Sequence, residues 1–114
     1  MALDTSPDNG AMLFTHGRWL VHAGQENAFV SAWEQFAAWA TAELPAGPWA
    51  VLLRDRENPR QFFSFGPWDS LGAIEDFRSH PQFSDFQGRV RPMLEAVEIF
   101  TLDAAAHGGD AAPL

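Results

Sequence analysis

The 114-residue sequence contains no cysteine, no lysine and no tyrosine. Without cysteine the chain forms no disulfides and has neither thiolate nucleophiles nor zinc–thiolate sites. Without lysine it has no side chain for Schiff-base chemistry. The lack of tyrosine removes the phenol group, although ten Phe and five Trp residues are present. This skew favours a large apolar interior.

Positive charge is also scarce. Seven basic residues, all arginine, stand against 15 acidic ones, and the formal net charge is −8. An acidic surface repels phosphate backbones and anionic lipid surfaces, so we expect neither nucleic acid nor a membrane as a partner. No stretch approaches the ~20 apolar residues that span a bilayer. Residues 1–12 contain no basic residue and no long apolar run, which is unlike a signal peptide and predicts a cytoplasmic protein.

The order of predicted elements is β-α-β-β-α-α-β. Residues 1–12 and 104–114 are predicted to be flexible tails around one folded domain at 13–103. Apolar residues at helical spacing predict a helix at 25–43, and Ser70 and Pro81 begin two more, the second ending near Pro92. Strands are predicted at 14–23, 49–54 and 97–102, with another that starts at residue 61 and breaks at Gly66-Pro67. Four strands with helices on one side make an α+β, ferredoxin-like sandwich.

The third strand is apolar on both faces. Successive side chains of a strand point to opposite faces, so Phe62 faces one way while Phe63 and Phe65 face the other. The helices of this chain cover only one face of the sheet, and monomers rarely leave a large apolar patch exposed. We therefore predict a homodimer that packs through the uncovered sheet faces around a two-fold axis.

The sequence resembles the antibiotic biosynthesis monooxygenase family, of the dimeric α/β-barrel superfamily, over about residues 14–102. The resemblance lies in Phe29, Trp33 and Phe36 of the first helix, in the hairpin, and in two motifs. These motifs are Phe65-Gly66-Pro67-Trp68-Asp69-Ser70 and Phe77-Arg78-Ser79-His80-Pro81-Gln82-Phe83. The resemblance implies a pocket between the sheet and its helices, with Trp68 in the pocket wall.

Two chemistries are known on this scaffold. Cofactor-free oxygenation of polycyclic phenols to quinones uses an Asn and a Tyr around the Trp, and Ser64 and Ile74 stand at those positions here. Haem degradation uses an Asn on strand one and a His on a later helix, where this chain has Gly17 and Gln87. Trp68 is the shared position that this sequence keeps.

Histidines are the remaining candidates for a general base, which works best with a pKa near the operating pH. His16 and His22 share one face of strand one with Arg18, whereas the alternative is a strand-edge His22 and an Arg18 that pairs with a carboxylate. Trp68 either stacks against a flat substrate or only fills the core. We assign catalysis to His16, His22 and Trp68. Substrate contacts are assigned to Trp33, Phe36, Ser64, Ile74 and Phe77, although the helix-one stripe is also typical of a plain core.

The leading hypothesis is a cofactor-independent monooxygenase that acts on a flat aromatic small molecule. No cofactor is expected, and no metal, because the histidines lack metal-ligand spacing. One alternative is a non-catalytic dimeric protein that binds a small molecule. Another is haem binding through His80, which otherwise serves as a surface residue at a helix boundary. Arg54 either orients an anionic substrate group or forms a surface ion pair.

Overall fold

A computed structural model describes residues 12–44, 49–106 and 108–109. Most of the two predicted tails lies outside these residues, as do residues 45–48. The elements are β1 (Leu13–Val21), α1 (Glu26–Glu43), β2 (Val51–Arg54), β3 (Gln61–Trp68), α2 (Leu71–Ser79), α3 (Pro81–Val90), a 3₁₀ turn (Arg91–Met93) and β4 (Leu94–Asp103). This order confirms the predicted α+β, ferredoxin-like fold. Among the described residues, no helix is both long and apolar enough to cross a membrane.

The four strands form one antiparallel sheet in the order β2-β3-β1-β4. Along β1, the odd-numbered side chains face the helices, and Leu13, Trp19 and Val21 are buried there. The matching positions of β3 contribute Phe62 and Trp68. The rest of the core comes from the three helices: Phe29, Ala32, Phe36, Ala40, Ala73, Ile74, Phe77, Phe83, Phe86 and Val90.

The β3 strand is longer than the sequence predicted. The prediction broke the strand at Gly66-Pro67, but β3 continues to Trp68. Pairing with β2 extends only to Phe65, which lies opposite Val51, so the edge beside Pro67 is free of β2. Proline lacks the N–H that a central strand donates, and it is tolerated at such an edge.

The last strand was also underestimated, since it begins at Leu94 rather than at residue 97. Its pairing with β1 extends from Leu13–Asp103 to Val21–Leu94, with a register shift near the end. The helix-ending role of Pro92 is confirmed, because α3 stops at Val90 and the chain then makes one 3₁₀ turn.

Both short helices begin at a side-chain cap, near the Ser70 and Pro81 starts that the sequence predicted. Ser70 Oγ accepts a hydrogen bond from the N–H of Ala73 at 3.1 Å and starts α2. His80 Nδ1 accepts one from the N–H of Gln82 at 3.0 Å and starts α3, with Pro81 in the first turn. These bonds satisfy N–H groups that have no partner inside the helix. The two bonds therefore define where each helix begins.

The face of the sheet away from the helices is called the outer face. The strand register and the alternation of side chains place on it Phe14, His16, Arg18, Leu20, Val51, Leu53, Phe63, Phe65, Ala96, Glu98, Phe100 and Leu102. Several of its large apolar side chains are exposed in the single chain, with Leu53 at 48% and Phe100 and Leu102 each at 38%. The outer face is thus apolar at its centre and not covered by this chain's helices.

Candidate functional site

A cavity of about 80 Å³ lies between the helix-facing side of the sheet and the three helices. Its floor comes from β1 and β3, including Thr15, Gly17 and Ser64, and Ile99 borders it from β4. Its volume is well above the ~10–15 Å³ that one water molecule requires. The cavity therefore offers room for a small ligand under α1.

Aromatic rings form much of the cavity wall. Phe36 of α1 stacks on Phe86 of α3 with ring centroids 4.3 Å apart and planes within 7°. Phe77 of α2 lies 4.7 Å from the Trp68 ring and 5.5 Å from Phe36. Trp33 borders the same space from α1. Such walls suit a flat apolar ligand, because aromatic rings stack favourably on one another.

Two hydrogen bonds occupy the indole N–H groups at the cavity floor. Trp68 Nε1 donates to Thr15 Oγ1 and Trp19 Nε1 donates to Ser64 Oγ, each at 3.0 Å. Trp68 thus offers a ligand its ring face, while its N–H serves Thr15. A hydroxyl that accepts one bond still has its own hydrogen to donate. Thr15 and Ser64 are therefore the neutral polar groups available to a ligand at the floor.

Gly17 makes the second of these bonds geometrically feasible. A Cβ at Gly17 would lie 2.5 Å from Trp19 Nε1 and 2.7 Å from Ser64 Oγ. Both distances are shorter than van der Waals contact, so any side chain at this position would push the two bonded groups apart. The absence of a side chain here keeps the cavity floor open.

We expect Gly17→Ala to lower the free energy of unfolding by roughly 1–3 kcal/mol, the usual cost of overpacking a core. Urea denaturation of the purified protein measures it. Gly88→Ala on α3 is the matched control, since a Cβ there meets nothing within 4 Å. Alanine has a higher helix propensity than glycine, so the free energy of unfolding of this control should rise by up to about 1 kcal/mol. Equal stability of the Gly17→Ala variant and the parent would contradict the close approach of Trp19 Nε1 and Ser64 Oγ to Gly17.

His16 is among the residues that border the cavity, but its ring lies on the outer face of the sheet, where it stacks on Phe65. The centroids of these two rings are 4.4 Å apart, and the His16 ring also stacks on Phe100 at 5.5 Å. Its Nδ1 is 3.0 Å from the backbone carbonyl oxygen of Ser64. A carbonyl only accepts, so Nδ1 carries the hydrogen. The structure therefore does not bring the imidazole of His16 to Trp68, because the two side chains point to opposite faces of the sheet.

His22 lies beyond the end of β1 and is not among the residues that line the cavity. Its side chain is 49% exposed, and its Nδ1 is 3.6 Å from Glu95 Oε2. Arg60 donates a 2.6 Å hydrogen bond to the same oxygen. That bond and its charge, with a smaller effect of His22, lower the pKa of Glu95. Arg18 pairs with Glu98 at 3.3 Å. The alternative interpretation of a strand-edge His22 and a paired Arg18 is confirmed.

Four of the five residues assigned to substrate contact border the cavity: Trp33, Phe36, Ser64 and Phe77. The fifth, Ile74, is buried at 2% exposure and does not border the cavity. Trp68, assigned to catalysis, borders it as well. The geometry brings these side chains together, and their roles in catalysis and binding stay predictions.

Among the residues that border the cavity without a role from the sequence are Thr15, Trp19 and Arg78. The alternation along β1 places residues 15, 17 and 19 on one face, so that pattern is a signal for the first two. The third comes from the last turn of α2, next to Phe77, where an arginine is usually taken for a solvated side chain. Only the packing of α2 against the sheet shows that Arg78 borders the cavity.

The remaining candidates have structural positions. His80 begins α3, and its ring lies 4.7 Å from that of Trp39, as expected for a residue at a helix boundary. The guanidinium of Arg54 lies over the Phe62 ring, 5.0 Å from its centroid. Within residues 12–44, 49–106 and 108–109, no three His, Asp or Glu side chains group as ligands for a metal ion.

The chain belongs to the antibiotic biosynthesis monooxygenase family, because the sequence pattern of that family matches residues 12–89. This confirms the resemblance seen in the sequence. No curated protein sequence matches the chain significantly.

Solved structures share the fold. A variant of SnoaB, a cofactor-independent oxygenase from Streptomyces nogalater, is 20% identical and superposes with a TM-score of 0.76 over 84% of this chain and 95% of that one. The protein PA3566 from Pseudomonas aeruginosa is 21% identical, with a TM-score of 0.73 over 84% of this chain and 96% of its own. A conserved protein from Methanosarcina mazei is 13% identical, with a TM-score of 0.74 over 81% and 91%.

Proposed function

We propose that this chain is a cofactor-independent monooxygenase that oxidises a flat aromatic small molecule in the cavity under α1. The observation that carries the proposal is the aromatic-walled cavity with Trp68 beside it, in a chain of this family. The fold it shares with SnoaB, named as a cofactor-independent oxygenase, supports the same class of reaction.

The side chains of the cavity suit binding and orientation. Trp33, Phe36 and Phe77 stack on a planar substrate and exclude water, and the hydroxyls of Ser64 and Thr15 donate to a substrate oxygen. In the reaction, a ring CH₂ group becomes C=O. One atom of O₂ enters the product, the other leaves as water, and the substrate supplies all four electrons. The protein contributes by holding the substrate in position in a polar-floored cavity, and such orientation lowers the activation barrier of the reaction.

The test is oxygen uptake and quinone formation with an anthrone. We expect turnover by the parent and about tenfold lower kcat/KM for Trp33→Ala, because a stacked aromatic contact is worth ~0.5–1.5 kcal/mol and ~1.4 kcal/mol is a factor of ten. Leu71→Ala, at an exposed site of α2 outside the cavity, serves as the control with unchanged kinetics. A parent protein inert toward a panel of phenols and anthrones would refute the monooxygenase proposal.

The same assay examines the histidines. We expect His22→Ala to retain turnover, because that ring is exposed and paired with Glu95 outside the cavity. A loss of turnover with unchanged folding would instead support the catalytic role that the sequence predicted. For His16→Ala we measure both turnover and the mass of the protein in solution. The His16 ring stacks within the outer face, so its loss could change the proposed dimer as well as the reaction.

A non-catalytic dimeric binding protein is the second candidate. The observation that favours it is that, within the described residues, no carboxylate borders the cavity and the His16 ring faces away from it. Binding of an anthrone without oxygen uptake would support this candidate.

The homodimer predicted from the sequence belongs to the same proposal. Members of the family are generally dimeric. The exposed side chains of Leu53, Phe100 and Leu102 surround the half-buried Phe63 and Phe65 on the outer face. Covering these side chains with a second copy removes apolar surface from water, which favours association.

A further inference from the structure

Arg78 is held in a fixed position at the border of the cavity. It lies in the last turn of α2, and two hydrogen bonds tie its guanidinium to β4. Nη1 donates to Thr101 Oγ1 at 2.7 Å, and Nη2 donates to the carbonyl oxygen of Phe100 at 3.0 Å. Because both terminal nitrogens are bonded to one strand, the planar group has little freedom to swing into solvent.

The remaining nitrogen of this group is buried and has no partner. Arg78 Nε has no hydrogen-bond acceptor among the described residues and no contact with solvent. The ion pairs found in those residues involve Arg18, His22 and Arg60, and none involves Arg78. Leaving a buried donor of a charged group unsatisfied is costly, so such a group calls for an explanation.

The charge of Arg78 is partly removed from water. Burial lowers the pKa of its guanidinium, yet an arginine stays protonated at neutral pH. The other polar groups at the floor, Thr15 and Ser64, are neutral and already accept bonds from indole N–H groups. The cavity therefore combines apolar aromatic walls with a single uncompensated cation from the described residues.

We propose that Arg78 binds an anionic oxygen of the aromatic ligand and positions its ring against the wall of the cavity. The shared chemistry is a carboxylate or an ionised hydroxyl on a planar ring. Either anion supplies the negative charge that the guanidinium at the cavity border lacks. The inference rests on the cavity of the proposed function as a ligand site, and it does not require oxygenation.

This positioning has a consequence for an ionisable hydroxyl. A nearby cation favours the charged form of an acid and lowers its pKa. A phenol held beside Arg78 would release its proton at lower pH than in water. No carboxylate of the described residues borders the cavity, so this effect would do part of the work otherwise expected of a general base.

The test compares two ligands of nearly equal shape, 2-naphthoate and 2-naphthamide, by isothermal titration calorimetry at neutral pH. We expect the parent protein to bind the carboxylate at least tenfold more tightly than the neutral amide, as a hydrogen bond to a charged group allows. In Arg78→Met this preference disappears, while the affinity for the amide changes less than twofold. The ionised hydroxyl is examined with 2-naphthol, whose affinity should rise with pH in the parent and stay level in Arg78→Met.

Two variants separate binding from a structural role of the α2–β4 link. Thr101→Val removes the acceptor of the Nη1 bond and keeps the charge, so it should retain the preference for the carboxylate. Arg78→Lys keeps the charge without the Nε–H and should retain part of the preference for the carboxylate. The thermal unfolding midpoint of each variant is compared with that of the parent to check that the fold is intact.

The outcomes are distinct from those of the oxygenation assay. Equal affinity of the parent for the two ligands, or a preference that survives Arg78→Met, overturns the role of Arg78 even if anthrones are oxidised. A preference that depends on Arg78 in a protein that oxidises nothing supports the anion site and refutes only the monooxygenase proposal.

Discussion

Phe65→Asp should sediment as a monomer at micromolar concentrations at which the parent chain sediments as a dimer. Phe65 stacks on His16 on the outer face, the surface that we propose to be shared by two copies. A carboxylate in that position would be removed from water by the partner among apolar side chains, which costs several kcal/mol in order of magnitude. In the single chain Phe65 is only half-buried, so the monomer itself should remain folded.

Sedimentation velocity over a range of concentrations gives the mass, and circular dichroism reports folding. Leu71→Asp is the matched control, because Leu71 is 41% exposed on α2 and does not belong to the outer face. That variant should keep the mass of the dimer. A parent chain that is a stable monomer, or a Phe65→Asp variant that stays dimeric, would contradict the proposed interface.

Phe29→Ala should cause the second large effect, a loss of about 3–5 kcal/mol in the free energy of unfolding. Phe29 is completely buried on α1 and contacts Trp19 at 5.4 Å and Phe62 at 5.3 Å between ring centroids. Its removal leaves a cavity between the helix and two strands. Since domains of this size are stable by only ~5–15 kcal/mol, the variant should unfold at a markedly lower urea concentration.

Leu71→Ala is the comparison for a large-to-small change at an exposed site, where the free energy of unfolding should change by no more than about 0.5 kcal/mol. Phe29 does not line the cavity, so a Phe29→Ala protein that still folds should bind ligand much like the parent. A loss below about 1 kcal/mol would mean that the helix–sheet packing described above is incorrect.

The fold was predictable because each element carries a local pattern. The apolar stripe of α1, the Ser70 cap and Pro81 in the first turn of α3 have short-range causes, and all three appear in the structure. The continuation of β3 through Gly66-Pro67 was not predictable in this way. It depends on where the pairing with β2 ends, a relation between residues far apart in sequence.

The candidate site was predictable only in part. The side chains of Trp33, Phe36, Ser64, Phe77 and Trp68 line one cavity, as the resemblance implied. His16 also borders the cavity, but its ring stacks on the other face of the sheet, and His22 lies past the end of its strand. The sequence predicted both on one face of β1, but it did not show that the strand ends at Val21 or which face of the sheet the helices cover.

The sequence alone determined the element order and the two-sided apolar character of β3, because both follow from alternation and helical spacing within short segments. Only the tertiary structure decided which face of the sheet became the cavity floor, since the helices pack against one face and exclude the other. It also decided that Arg78 borders that cavity with a buried, unpartnered Nε–H. That position follows from the packing of α2 against β4, across 22 residues of chain between Arg78 and Phe100, a distance over which no local pattern acts.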